Sequence, residues 1–406
     1  MFEFYRSVNR RKFITLLAGA LLNFGNSPVK RARSPDKKTA ENKQLITLFL
    51  SGDVMTGRGI DQALPHSVDP KLHESYVKDA RYYLEIAEQR SGNIPDPLSF
   101  DYIWGDALQV LDNIDPDLRI INLETAVTNS SEYSQNKSIH YRMHPKNASL
   151  LTNAKIDICV LANNHMLDWG CRGLRQTIQT LNNNGIATVG AGVDAKSALQ
   201  PAVIELTERR LLIFSYATVD SGIPSSWSAG EDRAGINLLE KLDAETAEKV
   251  ISDINSFRKG TDSVVTSIHW GGNWGYEIPK AQREFAHSLI DAGVDLIHGH
   301  SSHHPKAIEV YNERLILYGC GDLINDYEGI SGYESFRDDL TLLYFTTLNA
   351  NGSLHSLQMA PMKIKKFRLS YANEQDTKWL VDRLNSGCQQ LNTEIHPTNN
   401  HLELYW

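Results

Sequence analysis

The segment IDICVLANNHMLDWG, residues 156–170, joins a short apolar strand pattern to a run of polar side chains. Two amides (Asn163 and Asn164), an imidazole (His165) and a carboxylate (Asp168) follow the apolar residues. Asn164 can bind a metal ion through its carbonyl oxygen, and Asp168 is close enough in sequence to orient His165 by a hydrogen bond. A purely structural reason for this combination is hard to find. The segment therefore indicates a functional site at the end of a buried strand.

The same pattern recurs along the chain. Apolar strand patterns in 45–51, 118–124, 263–272 and 294–300 lead to Asp53, Glu124, His269 and His300, respectively. In α/β sheets, ligands gather at the carboxyl ends of the strands. Side chains that are scattered through the sequence are therefore expected to meet at one edge of the sheet.

Strand and helix patterns alternate between these segments, and hairpin patterns occur at 203–219 and 307–324. This order predicts an α/β domain with mixed sheets. The tail at 371–406 is predicted to form one helix and a final strand. With 406 residues and 41% hydrophobic content, the chain can bury a large core.

The side chains at the predicted strand ends form a mixed set of carboxylates, an amide and imidazoles. Such a set suits divalent Mn, Fe or Zn, and the lack of cysteine ligands argues against a structural zinc site. With a shared carboxylate, the set could hold two ions roughly 3.5–4 Å apart, as in two-metal hydrolases. Ions held in this way would acidify a water molecule and polarise a phosphoryl or carbonyl oxygen of the substrate.

Histidines are concentrated in IHGHSSHHP, residues 297–305, which contains His298, His300, His303 and His304. Neutral imidazole is the commonest protein ligand for transition metals. A chance cluster on a polar loop would explain the segment equally well if it stood alone. The strand ends elsewhere in the chain favour the metal site.

Six motifs together resemble the CapA family, proteins of poly-γ-glutamate capsule synthesis. They are GDVMTGRG, NLETAVT, LANNHMLDWG, HWG, GHSSHHPKAIEVY and LYGCGDLINDY, and they occur in the family's order over about 45–360. The resemblance implies a calcineurin-like metallophosphatase fold, in which two packed mixed β-sheets are flanked by helices around a binuclear metal site. With the CapA-like domain at 45–360, the predicted remaining parts of the chain are a signal and linker (1–44) and a C-terminal extension (361–406).

The resemblance also implies roles for individual residues. Asp53 would bind the first metal ion and Glu124 would bridge both. Asn164 and His269 would bind the second ion. His165 would be the general acid, positioned by Asp168.

The histidine segment departs from the common family form, Gly-His-His-Pro-His. When the segments are matched on the following Ile308-Glu309, His300 takes the place of the first ligand and His303 that of the last, on different metal ions. His304 is then a substrate contact or a group behind the ligands, and His298 is left out of the ligand set.

The first motif departs from the metallophosphoesterase pattern, which usually reads Asp-x-His. Here it reads Asp53-Val54-Met55, so the first ion lacks an imidazole and its site is the less certain of the two. Arg58 follows closely and is a candidate clamp for an anionic substrate, because a guanidinium fork suits carboxylate or phosphate. A surface arginine without such a role is the alternative.

The N-terminal stretch SVNRRKFITLLAGALLNFG, residues 7–25, resembles a twin-arginine export signal. The pair Arg10-Arg11 precedes an apolar run that is too short for a comfortable membrane span. Export to the periplasm or cell envelope is therefore expected. An uncleaved membrane anchor, or a chance basic and apolar start on a cytoplasmic protein, are the alternatives.

Three functions are compatible with the sequence. The first is a metal-dependent hydrolase of phosphoester or amide bonds in poly-γ-glutamate or related polymer metabolism. The second is a non-catalytic accessory that binds or exports the polymer, and the third is a general metallophosphoesterase. The expected partners are an anionic polymer or small molecule and membrane proteins of capsule synthesis. A net charge of -8 argues against a general nucleic-acid binder.

Overall fold

The computed structural model describes residues 45–135, 137–206, 209–398 and 401–406. The predicted export signal and linker, residues 1–44, lie outside the described residues. No helix in the described part of the chain has the length and apolar character needed to cross a membrane.

The described residues form 21 strands: β1 Ile46–Val54, β2 Leu118–Leu123, β3 Ala126–Val127, β4 Arg142–Met143, β5 Ile158–Val160, β6 Ala187–Val189, β7 Ala191–Gly192, β8 Ala202–Glu205, β9 Arg210–Thr218, β10 Gly235–Ile236, β11 Leu238–Leu239, β12 Ser263–His269, β13 Leu296–His300, β14 Ile308–Tyr311, β15 Arg314–Leu317, β16 Asp322–Ile324, β17 Leu340–Leu348, β18 Leu354–Lys365, β19 Arg368–Tyr371, β20 Glu394–Pro397 and β21 Leu402–Tyr405. The α-helices of the same residues are α1 Arg58–Ala63, α2 Arg81–Ser91, α3 Ala107–Ile114, α4 Ser149–Asn153, α5 Gly170–Asn183, α6 Ala195–Leu199, α7 Ala244–Phe257, α8 Lys280–Asp291 and α9 Glu374–Cys388.

Two large mixed sheets form the body of the protein. The first has ten strands, in the order β20-β21-β18-β17-β1-β2-β5-β6, with β16 beside β1 and β19 beside β18. The second has seven strands, in the order β11-β9-β12-β13-β15-β14, with β8 beside β9. The predicted architecture of two packed mixed sheets flanked by helices is confirmed.

Side-chain alternation along β1 explains why the sheets are layered. Leu48 and Leu50 point into the core between the two sheets, whereas Phe49 points into a second core beneath the helices on the outer face. Because successive strand residues face opposite sides, a strand that is apolar throughout must be covered on both. All nine residues of β1 except Thr47 are buried.

The central strands run parallel, which brings their carboxyl ends to one edge. In the first sheet β1 pairs in parallel with β2 and β16, and in the second β12 pairs in parallel with β13. Asp53 is opposite Asp322 in the first sheet, and His269 is opposite His300 in the second. The edge predicted from scattered polar residues is thus formed by both sheets together.

The hairpins predicted at 203–219 and 307–324 are present as β8–β9 and β14–β15. The tail, predicted as one helix and one strand, contains α9 and two strands, β20 and β21. The second strand pairs with β18, and β18 itself runs across the predicted domain boundary at 360. The C-terminal extension is therefore part of the ten-stranded sheet.

Candidate metal centre

Carboxylates from the first sheet form one side of the site. Asp53 is the last residue but one of β1 and Glu124 follows β2, and both are buried. The side-chain amide of Asn122 donates to Asp53 Oδ1 at 2.7 Å and to Glu124 Oε2 at 3.3 Å. Burial, followed by the charge of Asp322, raises the pKa of Asp53 to about 7. Burial, followed by the charge of Asp53, raises the pKa of Glu124 well above its usual range. Acids held in this way would be stabilised in their ionised form by a cation.

Imidazoles from the second sheet form the opposite side. His269 and His300 end neighbouring strands, and their Nδ1 atoms lie 2.8 Å apart. His300 Nδ1 is 4.0 Å from Asp53 Oδ1. Burial lowers the pKa of both histidines well below the usual range, so that both rings are neutral. Neutral imidazole is the form that binds a metal ion.

A chain of hydrogen bonds behind His300 fixes which of its ring nitrogens carries the proton. His298 Nε2 lies 2.8 Å from the carbonyl oxygen of Ser51 and must donate to it. His298 Nδ1 then accepts from the Ser267 hydroxyl at 3.1 Å, and this hydroxyl in turn accepts from His300 Nε2 at 2.9 Å. His300 Nδ1 is then the unprotonated ring nitrogen, 2.8 Å from His269 Nδ1 and 4.0 Å from Asp53 Oδ1. His298 itself has both nitrogens occupied, as expected for the member left out of the ligand set.

Asp53 also belongs to a second group of ligand-type side chains. Asp53, His303 and Asp322 each offer an atom, and these atoms lie within 4.8 Å of one another. Asp53, His269 and His300 form the first group on the same criterion, so Asp53 belongs to both. Asp322 was given no role from the sequence. The signal that could have identified it is Gly321-Asp322, which repeats the Gly52-Asp53 dipeptide.

Three of the predicted ligands have a buried polar atom without a hydrogen-bond partner among the described residues. These atoms are Asp53 Oδ2, Asn164 Oδ1 and His269 Nε2. A buried oxygen or nitrogen left unpaired is costly, and such atoms call for an explanation such as an ion. The donor set therefore fits divalent metal ions.

The neighbouring Asn163 instead ties the loop to the sheet, because its amide donates to Asn122 Oδ1 at 3.0 Å and to the carbonyl oxygen of Leu123.

His165 lies at the rim of the carboxylate side and is oriented as predicted. Its Nδ1 is 2.6 Å from Asp168 Oδ2, and its Nε2 points toward Glu124 Oε1 at 3.6 Å. Lys137, which the sequence did not single out, donates to Asp168 Oδ1 at 2.8 Å and to the carbonyl oxygen of Asn164. Burial is the main cause that lowers the pKa of His165 to about 3; the Asp168 charge opposes this effect and the Lys137 charge adds to it.

Arg58 is placed differently from the prediction. Its guanidinium donates twice to Asp326, at 3.1 and 2.5 Å, and once to Glu74 at 3.2 Å. It also stacks 3.8 Å above the ring of Tyr83. Since the fork is buried and occupied by carboxylates of the protein itself, the geometry argues against the predicted substrate clamp. Arg58 instead joins α1 to the segment around Asp326.

His304 is likewise enclosed by the protein rather than open to a ligand. Its Nε2 accepts from the backbone N–H of Gly275 at 3.1 Å, and its Nδ1 lies 3.2 Å from the carbonyl oxygen of Pro305. The ring is fully buried and packs against Tyr276 and Phe336. Both ring nitrogens are therefore used within the protein, which argues against the predicted contact with substrate.

Replacing His304 with glutamine tests this structural role through its pH dependence. Burial lowers the pKa of His304 to about 4, helped by the charges of Lys306, His303 and Arg383 and opposed by the bond to Pro305. Between this pKa and the ordinary value near 6.5, the unfolded chain binds the proton more readily than the folded chain does. The free energy of unfolding of the wild type therefore falls by roughly 1.4 kcal/mol for each unit by which the pH is lowered in this range.

We expect His304→Gln to cost about 1–3 kcal/mol near pH 7.5, and this difference from the wild type to shrink by roughly 2 kcal/mol near pH 5. The measurement is denaturant unfolding in the presence of a chelator. The exposed His355 provides the control, because His355→Gln should cause only a small change in the free energy of unfolding. A constant difference for His304→Gln at the two pH values would contradict the buried, neutral ring.

Comparison with known families identifies the chain. A model of the family "Bacterial capsule synthesis protein PGA_cap" matches residues 47–327. This range covers more than half of the chain and includes every strand end that supplies the site. The chain belongs to the PGA_cap family. The resemblance to the CapA family drawn from the six motifs is thereby confirmed.

Several relatives of this PGA_cap-family chain have names that refer to polymer synthesis. "Probable polyglutamine synthesis accessory protein Rv0574c" of Mycobacterium tuberculosis (strain ATCC 25618 / H37Rv) is 46% identical over 344 residues, which cover 84% of this chain and 90% of the relative. "PGA biosynthesis protein CapA" of Bacillus subtilis (strain 168) is 26% identical over 367 residues, which cover 88% of this chain and 84% of the relative.

Among solved structures, the chain is similar to the crystal structure of the protein TT1561 of Thermus thermophilus. The identity is 9% and the TM-score is 0.34, over 75% of this chain and 99% of that one. A score of this size supports no inference about fold or function.

Proposed function

We propose that this PGA_cap-family protein is a metal-dependent hydrolase that acts on phosphoester or amide bonds in poly-γ-glutamate metabolism. The observation that supports this most strongly is the meeting of ligand-type side chains from both sheets around one shared carboxylate, Asp53, with Asp53 Oδ2 and His269 Nε2 left unpaired. The names of the relatives support the link to the polymer.

Each ion has its own set of residues in this proposal. Asp53 and His303 would hold the first ion, and Asn164, His269 and His300 the second. Asp53 also lies beside His269 and His300, so it adjoins both sets. Glu124 would bridge the two, as the family resemblance implies. Bound divalent Mn, Fe or Zn ions would supply positive charge for the substrate's oxygen and acidify a water molecule.

His165 and Asp168, at the rim of the site, would transfer a proton to the substrate. His165 keeps Nδ1–H on Asp168, so its Nε2 is the nitrogen available to the substrate. Burial and the Lys137 charge favour the neutral ring, whereas Asp168 favours the protonated one. To act as a general acid, His165 must first take up a proton at Nε2, and the ionised Asp168 stabilises the resulting imidazolium. Asp168 is itself fixed by the N–H of Tyr141 at 2.7 Å.

Elemental analysis paired with a substrate screen tests this proposal. Purified protein should contain close to two divalent ions per chain and should cleave either phosphoesters or γ-glutamyl peptides. A chelator should abolish the cleavage, and added Mn²⁺ or Zn²⁺ should restore it. Protein without metal would exclude the hydrolase.

Two alternative functions correspond to other outcomes of the same screen. Bound metal without cleavage of either substrate class would favour a non-catalytic accessory, a role that also fits the word "accessory" in the name of the mycobacterial relative. Cleavage of simple phosphoesters, with γ-glutamyl compounds inert, would favour a general metallophosphoesterase.

The proposed place of action is the periplasm or cell envelope, on the strength of Arg10-Arg11 and the apolar run that follows them. We expect substitution of both arginines by lysine to stop export, because the twin-arginine route reads the pair itself rather than its charge. Cell fractionation with immunodetection of the full chain measures this. Arg31→Lys and Arg33→Lys together form the matched control and should export normally. Unchanged localisation of the Arg10-Arg11 variant would contradict this route.

A further inference from the structure

Met55 leaves the first ion of the proposed centre short of a ligand. The residue occupies the position where metallophosphoesterases usually have an imidazole, and its side chain is fully buried. The Met55 backbone N–H donates to the carbonyl oxygen of Ile324 at 2.8 Å, which ties the end of β1 to β16. The strand that borders this gap is therefore the one that begins with Asp322.

Asp322 lies directly beside Asp53. The two residues are register partners in the parallel β1–β16 pair, and Asp53 N–H donates to the carbonyl oxygen of Gly321 at 2.9 Å. Asp322 is 2% exposed. Its Oδ1 is 2.7 Å from His303 Nδ1, and its Oδ2 accepts from the Asn325 amide at 2.9 Å. A carboxylate oxygen from Asp322 thus reaches the ligand atoms of both Asp53 and His303.

The charge at this place also needs an explanation. Asp53, Glu124 and Asp322 are all buried, and Asp322 is the register partner of Asp53 in the β1–β16 pair. Buried like charges repel one another, whereas a divalent cation between them turns the repulsion into attraction. Arg58 cannot serve as that cation, because Asp326 and Glu74 occupy it.

We infer that Asp322 is a direct ligand of the first metal ion, replacing the imidazole that Met55 does not offer. This inference rests on the proposed function and adds to it the composition of the first site. With Asp53, Asp322 and the bridging Glu124, that site is rich in carboxylate oxygen, whereas the second site contains two imidazoles. Carboxylate ligands suit Mn²⁺ and imidazoles suit Zn²⁺, so the first site favours Mn²⁺ more than the second does.

The competing role for Asp322 is to orient His303 from behind, as carboxylates often do for metal-binding histidines. The two roles respond differently to conservative substitution. Asp322→Asn keeps an oxygen that accepts from His303 Nδ1–H but removes the negative charge. Asp322→Ala removes both. If Asp322 orients His303, Asp322→Asn should largely preserve metal binding. If Asp322 is a ligand for a hard cation, both variants should lose the ion.

The experiment titrates Mn²⁺ into chelator-treated full-length protein by calorimetry and follows the ions by electron paramagnetic resonance. Wild type should bind two ions and show the exchange-coupled spectrum of a manganese pair. Asp322→Asn and Asp322→Ala should each bind one ion at concentrations that saturate the wild type, and should give the spectrum of isolated Mn²⁺. The ion retained in the second site shows that the variants are folded.

Other results overturn the inference. If Asp322→Asn binds two ions with affinities within about twofold of wild type, Asp322 has the orienting role. The same conclusion follows if only Asp322→Ala loses an ion. If both ions are lost, the double variant Met55→His/Asp322→Asn decides: recovery of a coupled pair supports the inference, and no recovery overturns it. Wild type that binds no Mn²⁺, Zn²⁺ or Fe²⁺ would instead remove the proposed function itself.

Discussion

Asp53→Asn is expected to empty both halves of the proposed metal centre at once, because Asp53 is the residue that the two groups of ligand atoms share. The metal content should fall from about two ions per chain to near zero, and metal-dependent hydrolysis should fall to background. Glu124, the proposed bridge between the ions, belongs to neither of these two groups. Elemental analysis of desalted protein, followed by the activity assay, measures the effect.

The same substitution should leave the fold intact and make the metal-free protein more stable. Asn can still accept from Asn122 through Oδ1, so the hydrogen bond within the sheet is kept. Because burial raises the pKa of Asp53 to about 7, its contribution to stability is lost as the pH rises through that value. Above pH 7, Asp53→Asn should therefore unfold at a higher denaturant concentration than wild type when both are in chelator.

The exposed Asp232 supplies a matched control for this variant. Asp232→Asn should keep its metal, its activity and its stability. Two ions bound to Asp53→Asn, or a metal-free variant that is much less stable than the wild type, would contradict the shared-ligand arrangement.

His165→Ala is expected to separate catalysis from metal binding. His165 Nε2 faces the centre but belongs to neither group of ligand atoms, and its other nitrogen is committed to Asp168. We expect kcat to fall roughly 10²–10⁴-fold, the usual contribution of a positioned acid or base. The metal content should remain that of the wild type, because the proposed ligands are untouched.

The measurement combines steady-state kinetics on the substrate found by the screen with elemental analysis of the same preparation. His355→Ala is the control, since His355 is exposed and lies on β18. Loss of metal from His165→Ala would show that His165 is a ligand rather than a proton donor. An unchanged kcat with full metal content would remove it from the mechanism.

Much of the fold and of the candidate centre can be predicted from the sequence because the relevant signals are local. Each strand is an apolar run with a chemically distinct residue at its end, and that pattern can be read within a few residues of Asp53, Glu124 or His269. Parallel pairing then dictates that such ends meet. The unpaired oxygen of Asn164 and the orientation of His165 by Asp168 belong to the same short segment.

Arg58 and His304 show where local reading fails. Both have the right chemistry for binding an anion and both lie beside a predicted ligand motif. Their hydrogen-bonding partners come from other parts of the sequence. The Arg58 guanidinium donates to Asp326 and Glu74, and the His304 imidazole accepts from the N–H of Gly275. The chemistry of a side chain can be read from its residue type, but its availability depends on which hydrogen-bonding partners the fold brings to it.

By itself, then, the sequence determined the family, the layered α/β class and the strand ends that supply the centre, because apolar periodicity and short motifs are properties of neighbouring residues. Only the tertiary structure placed Asp322 next to Asp53 and linked His298 through Ser267 to His300. These contacts depend on the pairing and packing of strands that are far apart in the chain. No short segment contains that register, so it is decided when the two sheets assemble.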